Sequence, residues 1–133
     1  MNKKPAAAHI LVVDDEHSFR STLYLILSSR GYRVSQAANG REGMELLREM
    51  HQAGSAPDLV LTDLKMPEMD GLEFMETIQR ENIPVQVAVA TGYGDRDMVR
   101  KLELMGCSWI LNKPFDADEL FLLLNEIFQE NGG

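Results

Sequence analysis

Short apolar runs and helical stripes alternate five times along this chain. His9–Val13 is continuous apolar sequence of strand length after its first residue and predicts a buried strand. Ser18–Arg30 follows with Phe19, Leu23, Ile26 and Leu27 at helical spacing. Gly31 ends that helix, because glycine accepts the left-handed backbone that a helix terminus requires. Arg33–Ala37 predicts a second, weaker strand. Asn39 offers a side-chain oxygen to the free amides of a helix from Gly40 to about Met50, with Met44 and Leu47 inward. Gln52–Pro57 is a small-residue loop, and Leu59–Thr62 is the third strand. Gly71 to about Glu81 forms a helix with Leu72, Met75 and Ile78 on one side. Val85–Ala90 is the fourth strand, Asp95 caps a helix running to Met105, and Gly106 ends it. Trp109–Leu111 is the fifth strand. Asp116 opens the last helix with Glu119 as its capping-box partner, and Leu120, Leu123, Leu124 and Ile127 form its buried stripe. Glu130–Gly133 is expected to fray.

Strand–helix alternation with strands apolar throughout predicts an α/β fold: a doubly wound, five-stranded parallel sheet with helices on both faces. With 133 residues the chain suits one domain, its core lying at about 9–128. A hydrophobic fraction of 44% is enough for a packed core. The net charge of −8, from 13 basic and 21 acidic residues, argues against nucleic acid or an anionic membrane as the direct partner. The lone Cys107 cannot close an internal disulfide, which fits a reducing cytoplasm. The apolar run after Lys3 and Lys4 is interrupted by Asp14 and Asp15, too soon for a signal peptide or membrane span.

The candidate chemistry sits where strands end. Asp14 and Asp15 close the first strand, Asp63 closes the third, Thr91 closes the fourth, and Lys113 follows the fifth. In a doubly wound sheet of order 2-1-3-4-5 the ligand crevice lies beyond the carboxyl ends of strands one and three, which are the strands carrying the acids. Asp14–Asp15 alone would be an N-cap cluster, and Asp63 alone the start of a turn. Together they demand compensation, since two like charges about 4 Å apart cost roughly 4 kcal/mol at an effective dielectric of about 20. Mg²⁺ suits the gap, being hard, oxygen-seeking and content to keep water and phosphate oxygens in its shell. A carboxylate can also attack phosphorus to give an aspartyl phosphate. Asp63 is the candidate nucleophile, Asp14 and Asp15 the metal ligands, and Lys113 and the Thr91 hydroxyl the partners of phosphoryl oxygens. Gly92 leaves room for a phosphate to approach the backbone. His17 follows the acids, but hard Mg²⁺ disfavours imidazole, so it is taken as a polar residue of the first helical turn.

Four ordered motifs resemble the receiver domain of two-component response regulators, and the stand-alone chemotaxis receiver in particular. They are Val12-Val13-Asp14-Asp15-Glu16; Leu61-Thr62-Asp63-Leu64-Lys65-Met66-Pro67-Glu68-Met69-Asp70-Gly71; Ala90-Thr91-Gly92-Tyr93-Gly94; and Asn112-Lys113-Pro114-Phe115. The resemblance spans His9 to about Phe128 and implies a flavodoxin-like fold. It implies that Asp63 accepts a phosphoryl group from a histidine kinase or histidine phosphotransfer protein. It further implies that Asp14, Asp15, Asp63 and the backbone carbonyl of Lys65 hold Mg²⁺, and that Thr91 and Lys113 assist. It also implies a cis Lys113–Pro114 bond, and output to a protein partner, or pairing of two copies, through the face of the fourth helix, fifth strand and last helix.

Receivers usually place Tyr or Phe three residues before the lysine, whereas this chain has Ile110, with Trp109 one position earlier. Successive strand residues face opposite ways, so Trp109 is not a substitute ring. Trp109 is expected to pack a helix onto the sheet, with partner contact as the alternative. Tyr93 flanks the path of water to the phosphate and is a candidate shield. Two other readings fit the residues less well. A phosphohydrolase with an aspartyl nucleophile needs a second Asp two residues on, where Lys65 stands, and an inert receiver-like scaffold would not need the full set of site residues.

Overall fold

The computed structural model describes residues 8–92 and 95–132, with side chains through Gln129. Five strands, β1 (His9–Val13), β2 (Arg33–Ala37), β3 (Leu59–Asp63), β4 (Gln86–Thr91) and β5 (Trp109–Asn112), alternate with five helices. The helices are α1 (His17–Ser29), α2 (Gly40–Gln52), α3 (Gly71–Arg80), α4 (Arg96–Leu104) and α5 (Ala117–Gly132). The strands pair in parallel in the order β2-β1-β3-β4-β5, the expected flavodoxin-like arrangement.

Strand alternation divides the core into two layers. Leu11, Val13, Val60, Val87 and Val89 face α2, α3 and α4, where they meet Met44, Leu47, Phe74, Ile78 and Leu102. Ile10, Val12, Leu59, Leu61, Ala88 and Leu111 face α1 and α5, where they meet Leu23, Leu27, Leu120, Leu124 and Ile127. The central strands are buried on both sides, so apart from the polar residues at their ends they are apolar in succession instead of at every second position.

The helix ends follow their side chains. Asn39 Oδ1 accepts the Glu42 amide at 2.8 Å and starts α2. Asp116 and Glu119 form the expected reciprocal pair ahead of α5, at 2.9 and 3.3 Å. Asp70 and Glu73 form a second capping box at α3. Gly31 and Gly106 take φ of 89° and 94°, the left-handed backbone that stops α1 and α4.

Several boundaries differ from expectation. β4 starts at Gln86, because the Val85 amide bonds the Ile83 carbonyl in a turn and is lost to the ladder. α1 starts at His17 after Glu16, which gives no side-chain cap. Asp95 stands at the N-cap of α4 but does not cap it, since its carboxylate is engaged elsewhere. α5 continues to Gly132, through most of the stretch expected to fray.

Candidate functional site

Register brings the candidate residues to one edge. Val13 lies beside Thr62, Asp63 beside Ala90, and Thr91 beside Asn112. The ends of β1, β3, β4 and β5 therefore present Asp14, Asp15, Asp63, Thr91 and Lys113 together. Asp14, Asp15 and Asp63 each offer an oxygen within 4.8 Å of the others. Asp14 is buried, Asp63 is partly buried and Asp15 is exposed. All three donors are hard carboxylate oxygens, a set that fits Mg²⁺.

Lys113 closes the cluster. Its Nζ lies 3.2 Å from Asp14 Oδ2 and 3.3 Å from Asp63 Oδ2. It also sits 4.2 Å above the centre of the Phe19 ring, which the Phe115 ring meets edge-on at 5.7 Å. The peptide bond from Lys113 to Pro114 is cis, as the resemblance implied. Burial disfavours the Lys113 charge, yet Asp63 and Asp14 together outweigh it and hold its pKa above the ordinary value. Burial and the Asp14 charge push the Asp63 carboxyl up, against the pull of Lys113. Asp63 is thus a carboxylate whose charge is poorly solvated and incompletely matched, which is the condition that a bound cation relieves.

The backbone holds the acids in place. The Glu16 amide donates to Asp14 Oδ1 at 2.9 Å, and Arg20 Nη1 donates to the Asp14 carbonyl at 2.7 Å. The Leu64 amide donates to the Ala90 carbonyl at 2.9 Å, extending the ladder beyond Asp63. Gly71, at the start of α3, donates its amide to the Leu64 carbonyl at 2.7 Å. A Cβ at Gly71 would lie 2.6 Å from the Asp63 carbonyl, so the turn motif closes tightly under the acid only because position 71 is glycine.

The other predicted residues have these places. Thr91 is buried, and its hydroxyl donates to Asn112 Oδ1 at 3.3 Å. The Lys65 ammonium reaches Asp95 Oδ1 at 2.9 Å. Trp109 packs in the layer of α1 and α5 and donates Nε1–H to Gln86 Oε1 at 3.2 Å, in keeping with helix-to-sheet packing. Ile110 packs in the opposite layer, so the two side chains do occupy different faces. His17 is exposed at the first turn of α1. Tyr93 lies outside the described residues. Sequence reasoning does not reach Phe19, Arg20 or Asp95: Phe19 has the spacing of a core residue, Arg20 carries no signal, and Asp95 has the signature of a helix cap.

Comparison with known proteins agrees with this architecture. The family model described as the response regulator receiver domain matches residues 10–125, and the chain belongs to that family. It is 35% identical to sporulation initiation phosphotransferase F of Bacillus subtilis, over 90% of this chain and 89% of that protein. It is 39% identical to the transcriptional regulatory protein ZraR of Klebsiella oxytoca, over 88% of this chain but 25% of that protein. A receiver domain structure from Clostridium thermocellum superposes with a TM-score of 0.84 at 30% identity, covering 94% of this chain and 97% of that one. The chain is therefore a two-component receiver domain with an acidic pocket, of a family that acts as a signalling phosphoacceptor. Among the described residues no helix is long and apolar enough to cross a membrane.

Proposed function

We propose that residues 9–128 form a working receiver unit that takes a phosphoryl group onto Asp63 from the phosphohistidine of a kinase or phosphotransfer protein. The observation that carries this reading is the convergence of Lys113 on both Asp14 and Asp63, at 3.2 and 3.3 Å, among three carboxylates. An Asp63 oxygen attacks phosphorus in line, the P–N bond breaks, and its electron pair stays on the departing imidazole. Lys113 supports charge on a phosphoryl oxygen. The Thr91 hydroxyl, bonded to Asn112 in this structure, turns to donate to another. Asp14, Asp15, Asp63 and the Lys65 carbonyl are the residues that would hold Mg²⁺, which when bound supplies positive charge against the carboxylates and the phosphoryl oxygens.

Phosphorylation shifts an equilibrium that changes the affinity of the α4–β5–α5 face for a protein partner, or for a second copy of the chain. Leu104 on α4 and Leu122 on α5, 81% and 65% exposed, are apolar residues available on those helices. Similarity to a named phosphotransferase supports a place in a phosphoryl-transfer sequence, and similarity to parts of transcriptional regulators supports indirect action on DNA.

The test is incubation with acetyl phosphate and Mg²⁺, followed by mass spectrometry. One phosphoryl adduct on Asp63, absent from Asp63→Ala, is expected. An adduct elsewhere, or none, overturns the reading.

A further inference from the structure

Asp95 is a buried carboxylate that the mechanism above does not use. Its side chain is 4% exposed, and it stands at the start of α4 without capping it. Oδ2 instead accepts the Gly92 amide at 3.0 Å. Oδ1 is fully enclosed and meets the Lys65 ammonium at 2.9 Å, as a close ion pair and not as a well-directed hydrogen bond. Lys65 follows Asp63 by two residues, and Gly92 directly follows Thr91. One carboxylate thus joins the loop after β3 to the loop after β4, taking a cation and an N–H beside the proposed acceptor.

A carboxylate buried this deeply depends on the cation and the N–H that it holds. Structures retain such groups where they hold a state that something else can displace. A phosphoryl group on Asp63 brings three acceptor oxygens and nearly two negative charges into the same neighbourhood. The Lys65 ammonium, on a side chain 66% exposed and otherwise free to swing, and the Gly92 N–H are the donors for which it would compete.

We propose that Asp95 sets the affinity of the pocket for a phosphoryl group: in the resting protein it occupies Lys65 and Gly92 N–H, and the phosphoryl group must take them from it. This inference rests on Asp63 being the acceptor. Its consequence is that phosphorylation frees the Asp95 carboxylate at the head of α4, the helix at one side of the proposed output face. Asp95 acts through the donors it holds and is a positioning residue.

The experiment measures the dissociation constant of beryllofluoride, a stable phosphoryl mimic, with Mg²⁺ present. Asp95→Asn keeps the shape and an acceptor oxygen but cannot hold the ammonium as an ion pair. It should bind the mimic about tenfold more tightly, the scale of one charge-assisted hydrogen bond. Asp97→Asn, one charge removed from an exposed position on the same helix, should shift affinity less than about twofold. In a Lys65→Met background the Asp95→Asn effect should fall to about threefold or less, because the competing cation is gone. Amide NMR of the wild-type protein gives a readout that does not depend on any variant folding: the Gly92 N–H should shift when the mimic binds. Equal or weaker binding by Asp95→Asn, an equal gain in Asp97→Asn, or a Gly92 amide that stays in place overturns the inference while leaving the acceptor reading intact. A wild-type protein that takes no beryllofluoride removes both.

Discussion

Replacing Gly71 with alanine tests whether the turn beneath Asp63 is as tight as its geometry implies. The added methyl would lie 2.6 Å from the Asp63 carbonyl oxygen and 2.9 Å from the Leu64 Cα. Ordinary contact begins at 3.4 Å, so the backbone must open by about 0.8 Å. Both neighbours are main-chain atoms and cannot rotate away. The Gly71 amide is meanwhile committed to the Leu64 carbonyl at 2.7 Å, which resists the opening. Overpacking of this kind costs about 1–3 kcal/mol, and the better helix propensity of alanine returns at most about 1. With the full return the net loss is about 0–2 kcal/mol, which lowers the melting temperature by up to roughly 8 °C in a domain of this size. The displaced atoms belong to the proposed nucleophile and the residue after it. Misplacement by about 1 Å can cost about a hundredfold in rate, so acetyl phosphate labelling of Asp63 should slow by about tenfold or more. Thermal melts and timed mass spectrometry at a temperature well below the melt separate the two effects. A variant that melts with the wild type and labels at the wild-type rate would refute the close packing of Gly71 on Asp63.

Two further outcomes follow from side chains outside the acid cluster. Phe19→Leu removes the ring beneath the Lys113 ammonium, an interaction worth about 0.5–2 kcal/mol, and should weaken beryllofluoride binding by about threefold to tenfold, with Phe19→Tyr restoring it. His9 is partly buried, and burial first, then the Arg33 charge, lowers its pKa despite Asp58. A folded pKa below the unfolded value means that the unfolded chain binds the proton more readily. Stability from His9 is therefore complete above about pH 6.5 and is lost as pH falls from there through the folded pKa. Urea unfolding across that window should show the loss, and His9→Gln should flatten it.

The alternation of buried parallel strands with helices was legible because strands buried on both faces are apolar along nearly all of their length, and because helices announced their ends with Gly31, Asn39, Gly106 and the Asp116–Glu119 pair, whereas the strand order came from the resemblance to receivers. The acid cluster was legible for a related reason: topology gathers strand ends at one edge, so residues that end strands become neighbours without any local signal between them. What escaped the sequence was the supporting shell. Phe19 sits on a helical stripe like any core residue, and only the fold brings Lys113, on the other side of the chain, over its ring. Asp95 carries the ordinary signature of a helix cap, and nothing local indicates that Lys65 and Gly92 outbid the α4 amides for its oxygens. The Asp70–Glu73 box shows the opposite case, a local signal present in the sequence but hidden inside a motif read for another purpose.

The chain contains one tryptophan, Trp109, at the opposite end of β5 from Lys113. Four residue steps of about 3.3 Å set Trp109 roughly 13 Å along the chain from Lys113. Its N–H is tethered to Gln86 on the neighbouring strand. Tryptophan fluorescence, excited selectively over the three tyrosines, is therefore a single-source optical signal. Quenching or a spectral shift on activation would register movement of the sheet's outer edge and α5, and not the arrival of a ligand among the acids.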